Sequence, residues 1–454
     1  MIQGICSGVC WVGAPLYGGS HRMDDRQNGS GDANERSVSL PLWRDHAFLL
    51  FWLGRNISLT GTAVTGVVLP ILVYRLTGSP LLTAGLVGLD VIPYLVFGLV
   101  AGAIADRVNR RRLMVSCDLI NALLLGSIPL AAVFHALTIA QIYAVGLLAA
   151  TAAVWFDAAN FGALPALVGK KRLIAANSAL SSASTIVSIV GPALGGALAS
   201  LLGAAQSISV DAISYVLSAC SLLLISRALS VARSDDADAG ASSASLVRRT
   251  ARDIGEGLRF LWSQPLVRTM TLLGFGNSLT GGAVIGLLVV YGVQALGLSS
   301  RDARLGLLFS AGAVGSFIAS LLLPRLARQY PPGWLTLAGL SLSMLALIGL
   351  TITSAYWEGM ALLVIWEGSY TLTIIIGISL RQMVTPDALQ SRVNASARMI
   401  AWGGTPFGVA LGGTLAQGAG VRGAYLVMAL GVGALIAIGG FSPLRKRSLP
   451  TRAS

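Results

Sequence analysis

SLTGTAVTG, residues 58–66, and SLTGGAVIG, residues 278–286, agree at seven of nine positions across an offset of 220 residues. A second pair, GPALGG from Gly191 and GVALGG from Gly408, agrees at five of six positions across 217 residues. A weaker third pair, DRVNR from Asp106 and PRLAR from Pro324, lies 218 residues apart. One such match between Gly/Ala-rich segments is within chance. Three in the same order at nearly one offset predict a duplicated unit, so the chain reads as two copies of one fold.

The unit lies in apolar sequence. Of 454 residues, 54% are hydrophobic and 11% charged, against roughly 25% charged in an ordinary soluble domain. That balance excludes a soluble domain, whose surface needs more polar side chains, and a disordered chain, which is poor in apolar ones. The apolar runs are continuous rather than alternating, so they read as helices and not as lipid-facing strands. They recur at about 46–75, 80–105, 113–134, 138–163, 176–202 and 206–229, then at 266–296, 303–326, 333–354, 359–381, 393–417 and 423–442. Each is long enough to cross a hydrocarbon core of ~30 Å. The expected fold is all-α, with twelve spans in two pseudo-symmetric six-helix bundles, 46–229 and 263–443.

The remaining segments are an N-terminal tail (1–45), a central hydrophilic stretch (230–262) and a basic C-terminal tail (444–454). Residues 1–22 lack a basic region ahead of their apolar part and fit a signal peptide poorly, and Met23 is an alternative start. In the central stretch, SDDADAGASSAS reads as a flexible linker, and RRTARDIGEGLRF as an amphipathic helix on the membrane surface. With the N-terminus inside, inner segments hold 27 Lys and Arg, outer loops hold four (Arg75, Arg301, Arg304, Arg422), and Arg55 lies within helix 1. This bias predicts a multi-pass protein of the bacterial inner membrane with both termini cytoplasmic. It also accounts for the net charge of +13 without nucleic acid as a partner. Four scattered cysteines and three histidines form no metal-ligand spacing, and neither metal nor cofactor is expected.

Two motifs carry chemistry. The loop after helix 2 reads GAIADRVNRRR from Gly102 to Arg112. Asp106 can accept hydrogen bonds from a helix N-terminus and pair with Arg107 or Arg110, beside Arg111, while Gly102 permits close helix packing and Asn109 tolerates a left-handed turn. The simpler reading is a basic cluster that only sets topology. In helix 5, Pro192 kinks the chain, and Gly191, Gly195 and Gly196 admit a facing helix. Packing alone can account for that segment too.

The first segment resembles motif A of the major facilitator superfamily, with Asn109 in place of the usual glycine. The second resembles the core of that superfamily's motif C, with Ser178 and Val187 where two upstream glycines stand. FDAANFGALPALV, residues 156–168, is similar to the drug, macrolide and siderophore efflux branch. The resemblance covers nearly all of residues 42–443. It implies two six-helix halves, a cytoplasmic latch at motif A that opens and closes during alternating access, and export by antiport. Pro324 in the second copy of the loop leaves only the first copy able to act as a full latch. The arginine that many drug–proton antiporters carry in helix 4 is absent from residues 138–163.

Ionisable residues within apolar spans are functional candidates because their burial is costly. Arg55 and Asp90 lie roughly 13 and 15 Å into helices 1 and 2 at ~1.5 Å per residue, and can form either a proton switch or a static pair. Glu367 in helix 10 can bind protons or a cation, or face water near the outer end. Asp118 and Asp157, toward the cytoplasmic ends of helices 3 and 4, read as partners of the motif A arginines or as proton carriers. Asp211, placed in the first turn of helix 6, reads as structural. Asn56, Asn277, Trp366 and Tyr370 line a cavity or simply pack.

With no nucleophile elbow, zinc-protease motif or P-loop, the chain is not expected to be an enzyme. The expected function is export of a small amphipathic molecule by proton antiport, acting as a monomer in the lipid bilayer. The alternative is proton-coupled import of a nutrient or siderophore on the same fold.

Overall fold

The structure, a computed structural model, describes residues 42–105, 107–226, 229, 255–386, 389–442 and 444. Met23, the SDDADAGASSAS segment, Asp106 and the basic tail from residue 445 lie outside the described residues. Among the described residues every regular element is a helix. The first half comprises α1 (His46–Thr77), α2 (Pro80–Leu89), α3 (Ile92–Ala105), α4 (Arg110–Val133), α5 (Ile139–Gly169), α6 (Lys171–Leu201) and α7 (Ala204–Leu224). The second comprises α8 (Pro265–Gly286), α9 (Leu288–Gln294), α10 (Arg304–Gln329), α11 (Pro332–Ile352), α12 (Tyr356–Val384) and α13 (Gln390–Gly440).

Ten of these stretches are long and apolar enough to cross a membrane, and the bent pair α8–α9 makes eleven. The last stretch, 49 residues long, is broken at Gly420; counted as two spans, it is consistent with the expected twelve. Gly420 (φ 74°, ψ 167°) and Gly169 (φ 71°, ψ 164°) join successive helices through a conformation that is essentially glycine's alone.

Local chemistry sets the boundaries. Asp45 caps α1 by accepting from the Ala47 amide, and Ser79 followed by Pro80 opens α2. The second span, expected as one helix, is two pieces that break at Asp90–Val91. Pro93 supplies the reason, since its ring clashes with the carbonyl four residues earlier, at Leu89, where α2 ends. Asn109 is an extended N-cap (φ −66°) whose side chain accepts from the Arg112 amide, and not the expected left-handed residue. The described end of the central stretch, a helix over 255–263, does not lie free on a membrane surface. Leu261 is buried with Val267, Val393 and Ala397, and Glu256 pairs with Arg392 of α13.

Among the described residues the two halves are joined through a shared apolar cluster at one end and parted, with no shared cluster, at the other. One apolar cluster crosses between them, bringing Val64, Val68, Ala84 and Ala199 together with Ala283, Leu305, Leu308 and Val409. At the end where α1 begins, each half has its own cluster. Phe48, Phe51, Met114 and Phe156 serve the first half; Leu261, Val267 and Val393 serve the second. The joined end is also tied by Arg75, whose Nε and Nη2 donate to the Ser300 carbonyl at 2.8 and 2.6 Å.

Candidate functional site

The first half places a charged cluster where α1, α3 and α5 converge. The Arg55 guanidinium donates to Asp157 Oδ1 at 3.0 Å and stands 4.8 Å from the centre of the Phe156 ring. Tyr94 donates its hydroxyl to the other oxygen of Asp157 at 2.6 Å. The two charged side chains are 20% and 37% exposed. Ionisable groups at membrane depth open toward a bundle interior or an aqueous gap rather than toward lipid, so this pair belongs to the parted side of the molecule. On its inner side Arg55 borders a narrow crevice with Phe51, Met114, Phe156, Ser218 and Ser221. The Asp157 carboxylate is thus held between one cation and one phenol.

Several expected pairings are not formed. Arg55 does not meet Asp90, which is exposed at the break between α2 and α3. The kink at Pro93 separates Asp90 from the straight helix on which the depth argument relied. Asp118 and Asp157 do not meet the motif A arginines. Arg110 donates to the Gly162 carbonyl at 3.1 Å and Arg111 to that of Leu223, while Arg107 is exposed. Asp118 is 1% exposed, and neither of its oxygens has a hydrogen-bond partner. Asp211 is not in the first turn of its helix but eighth in α7, 1% exposed, accepting from Ser214 at 3.2 Å.

Glu367 is 2% exposed with one oxygen unpartnered, so the water-facing position does not apply. Asn277 is buried and donates to the Tyr370 carbonyl at 3.3 Å, and Trp366 stacks on Tyr370, which makes these three packing groups between α8 and α12. Asn56 donates to the Trp52 carbonyl of its own helix at 2.6 Å.

Two residues escaped sequence reading. Tyr94 sits in an apolar run with nothing local to mark it. Arg381, counted above among loop charges, is 6% exposed in the last turn of α12, within reach of Asn394 at 3.4 Å.

The glycine motif of helix 5 has a more defined place. A Cβ on Gly191 would meet Ala63 of α1 at 2.5 Å, and one on Gly195 would meet the Val64 carbonyl oxygen at 3.0 Å. On Gly196 it would meet Gly306 of α10, in the other half, at 2.8 Å. The second copy repeats the pattern. Gly408 and Gly412 abut Leu279 and Ala283 of α8, and Gly413 crosses to Leu81 of α2. In each copy two glycines seat the helix on its own bundle, and the last makes the contact between halves. At the parted end the reverse holds: a Cβ on Gly102 would meet nothing within 4 Å, so the close packing expected of it is not made in this state.

The description Major Facilitator Superfamily matches residues 51–402. The chain is 27% identical over 410 residues to the multidrug efflux pump Tap of Mycolicibacterium fortuitum, covering 86% of this chain and 95% of that one. It is 25% identical over 358 residues to the enterobactin exporter EntS of Citrobacter koseri, covering 79% and 82%. In fold it is similar to a bacterial homologue of the human lysosomal transporter Spinster in an inward-facing, occupied conformation. The TM-score is 0.71 at 15% identity, over 90% of this chain and all of that one. A bacterial homologue of the iron transporter ferroportin gives 0.67 at 16% identity, over 88% and 98%. A family match over most of the chain, a duplicated helical fold and halves that part at one end lead to one assignment: this protein belongs to the major facilitator superfamily and is a transporter, not an enzyme.

Proposed function

We propose that this transporter exports a small amphipathic molecule, of drug, macrolide or siderophore type, across the bacterial inner membrane in exchange for protons. The observation that carries the reading is the Arg55–Asp157–Tyr94 cluster on the parted side. A proton that reaches Asp157 cancels its attraction for Arg55 and lets the guanidinium leave. The neutral acid, the Tyr94 phenol and the Phe156 face then offer an uncharged, aromatic surface to substrate. Loss of the proton restores the pair. The 27-to-4 distribution of basic residues supports cytoplasmic termini, and hence a parted end that opens to the cytoplasm. The exporter names of both relatives support export over import. The chain acts as a monomer in lipid, with domain limits as read from the sequence.

The test uses purified full-length protein in liposomes, with ethidium as probe and an imposed pH gradient. Wild type should accumulate ethidium against its gradient only while the pH gradient lasts. Asp157→Asn should abolish that accumulation and retain downhill exchange, whereas Asp90→Asn should leave both. Uphill accumulation by Asp157→Asn refutes the assignment; loss of coupling in Asp90→Asn moves it to the second span.

A further inference from the structure

The seam between α1 and α7 is polar along most of its length, and the coupling cluster uses only one end of it. Gly54 of α1 faces Ser218 and Ser221 of α7, and Gly61 faces Asp211 and Ser214 so closely that no Cβ fits. Tyr215 and Thr62 share a hydrogen bond of 3.0 Å across the seam. The Thr65 hydroxyl, beside Asp211, is buried without a hydrogen-bond partner. On α4, Asp118 stands beside Ser218 with both oxygens unpartnered, and the buried Asn121 leaves its oxygen unpartnered as well.

The equivalent seam of the second half is built differently. There α8 meets the segment after Gly420 through Tyr425, Met428, Val432 and Leu435, and Gly276 faces Leu435. Residues 428–431, at the repeat offset from Asp211, read MALG. One duplicated fold thus stands with an apolar seam in one half and a buried acid, Asp211, at the matching place in the other, so packing alone does not require that acid.

Charge counting gives Asp118 and Asp211 a state. Asp211 is faced by Thr65 of α1 and by Ser214 and Tyr215 of α7. Asp118 is faced by Ser218 of α7 and Arg55 of α1, and its chain neighbour Cys117 feels the charge of both Asp118 and Asp157 of α5. Asp118 and Asp157 therefore share one cation, which Asp157 already engages, and no cation is among the groups that face Asp211. A second and third bare carboxylate at this depth would each be an uncompensated buried charge, which costs several kcal/mol.

We propose that Asp118 and Asp211 are proton-holding sites of the first half, both carrying a carboxylic acid proton while Arg55 is bound to Asp157, and that Asp118 is the exchange partner of Asp157. Asp118 passes its proton to Asp157 and, as a carboxylate, accepts Arg55, so charge is conserved: one acid and one carboxylate exchange places. Asp157 then releases the proton to the parted side and recovers Arg55 while Asp211 hands its own proton to Asp118 along the seam hydroxyls of Thr62, Tyr215 and Ser218, and a proton entering from the joined side restores Asp211. The relay role rests on the proton-coupling reading above; the protonation itself does not.

Infrared difference spectra of the full-length protein at neutral pH, recorded in H2O and D2O, should show deuterium-sensitive carboxylic acid carbonyl bands. Asp118→Asn and Asp211→Asn should each remove one band, and Glu367→Gln identifies any contribution from that acid. Bands that survive both aspartate substitutions, or that are absent from wild type, overturn the proposal. If Asp211→Asn fails to fold, Ser214→Ala leaves the carboxyl group in place and removes the hydroxyl that donates to its Oδ1 at 3.2 Å, so the band should shift; an unshifted band has the same force. In the liposome assay, Asp118→Asn should lower gradient-driven ethidium accumulation at least about tenfold, a change of ~1.4 kcal/mol in a barrier, with downhill exchange intact. Undiminished accumulation overturns the relay. A wild type indifferent to the pH gradient refutes the coupling reading instead, and the infrared bands still decide the protonation.

Discussion

Gly196→Ala is the sharpest test of how the two halves are held. A Cβ at this position would lie 2.8 Å from the Gly306 Cα and amide nitrogen and closer still to the Ala303 carbonyl, all backbone atoms of the opposite half. Carbon–carbon contacts favour ~3.5–4.0 Å, so α6 and α10 must separate by about 1 Å, because no side chain is there to rotate away. Overpacking of this kind costs ~1–3 kcal/mol, and here it is charged only to the state in which this end is joined. At a factor of ten per ~1.4 kcal/mol, the population should shift about 5- to 150-fold toward the opposite state. Alanine meanwhile improves helix propensity by up to ~1 kcal/mol, so the fold itself should not suffer. Gly195→Ala is the control, since its Cβ would press on Val64 of the same half at 3.0 Å and should lower stability without altering the balance. Electron–electron resonance distances between spin labels at Leu76 and Arg301, both exposed beside the joined end, read the equilibrium. A distance distribution unchanged by Gly196→Ala, or changed equally by Gly195→Ala, would refute the argument.

Other expectations follow from the same contacts. Arg75→Ala removes both bonds to the Ser300 carbonyl and should shift the spin-label distances as Gly196→Ala does, by about 1 kcal/mol per lost bond. A Cβ at Gly102 meets nothing within 4 Å in this state; Gly102→Ala should obstruct only closure of the parted end, and so slow transport while narrowing the distance distribution. Gly61→Ala, whose Cβ would lie 2.9 Å from the Asp211 Cα, should lower the thermal midpoint in detergent by the equivalent of ~1–3 kcal/mol. Gly66→Ala, with nothing within 4 Å, should be neutral or mildly stabilising. Tyr94→Phe removes a hydrogen bond to a carboxylate, a bond of roughly 1.5–3 kcal/mol, and should reduce gradient-driven ethidium accumulation at least about tenfold with downhill exchange preserved.

By itself the sequence determined the class, the duplication and the positions of most spans. Lipid imposes a one-dimensional rule, long apolar runs that satisfy their own backbone, and such a rule can be read without a partner segment. The glycine repeats at 191–196 and 408–413 were legible for the same reason, because a small residue at fixed spacing announces a close approach even when the approaching helix is unknown. The identity of that helix was not legible: Gly196 reaches α10 of the other half, while Gly195, one residue earlier, stays on α1. The ion pairs were decided by tertiary structure alone. Depth along a helix placed Arg55 and Asp90 at one level, but pairing also depends on rotation about each helix axis and on where Pro93 breaks the second span. Those rotations turn Arg55 to Asp157 and Tyr94 and leave Asp118 and Asp211 in a seam whose polarity one helix, read alone, does not show.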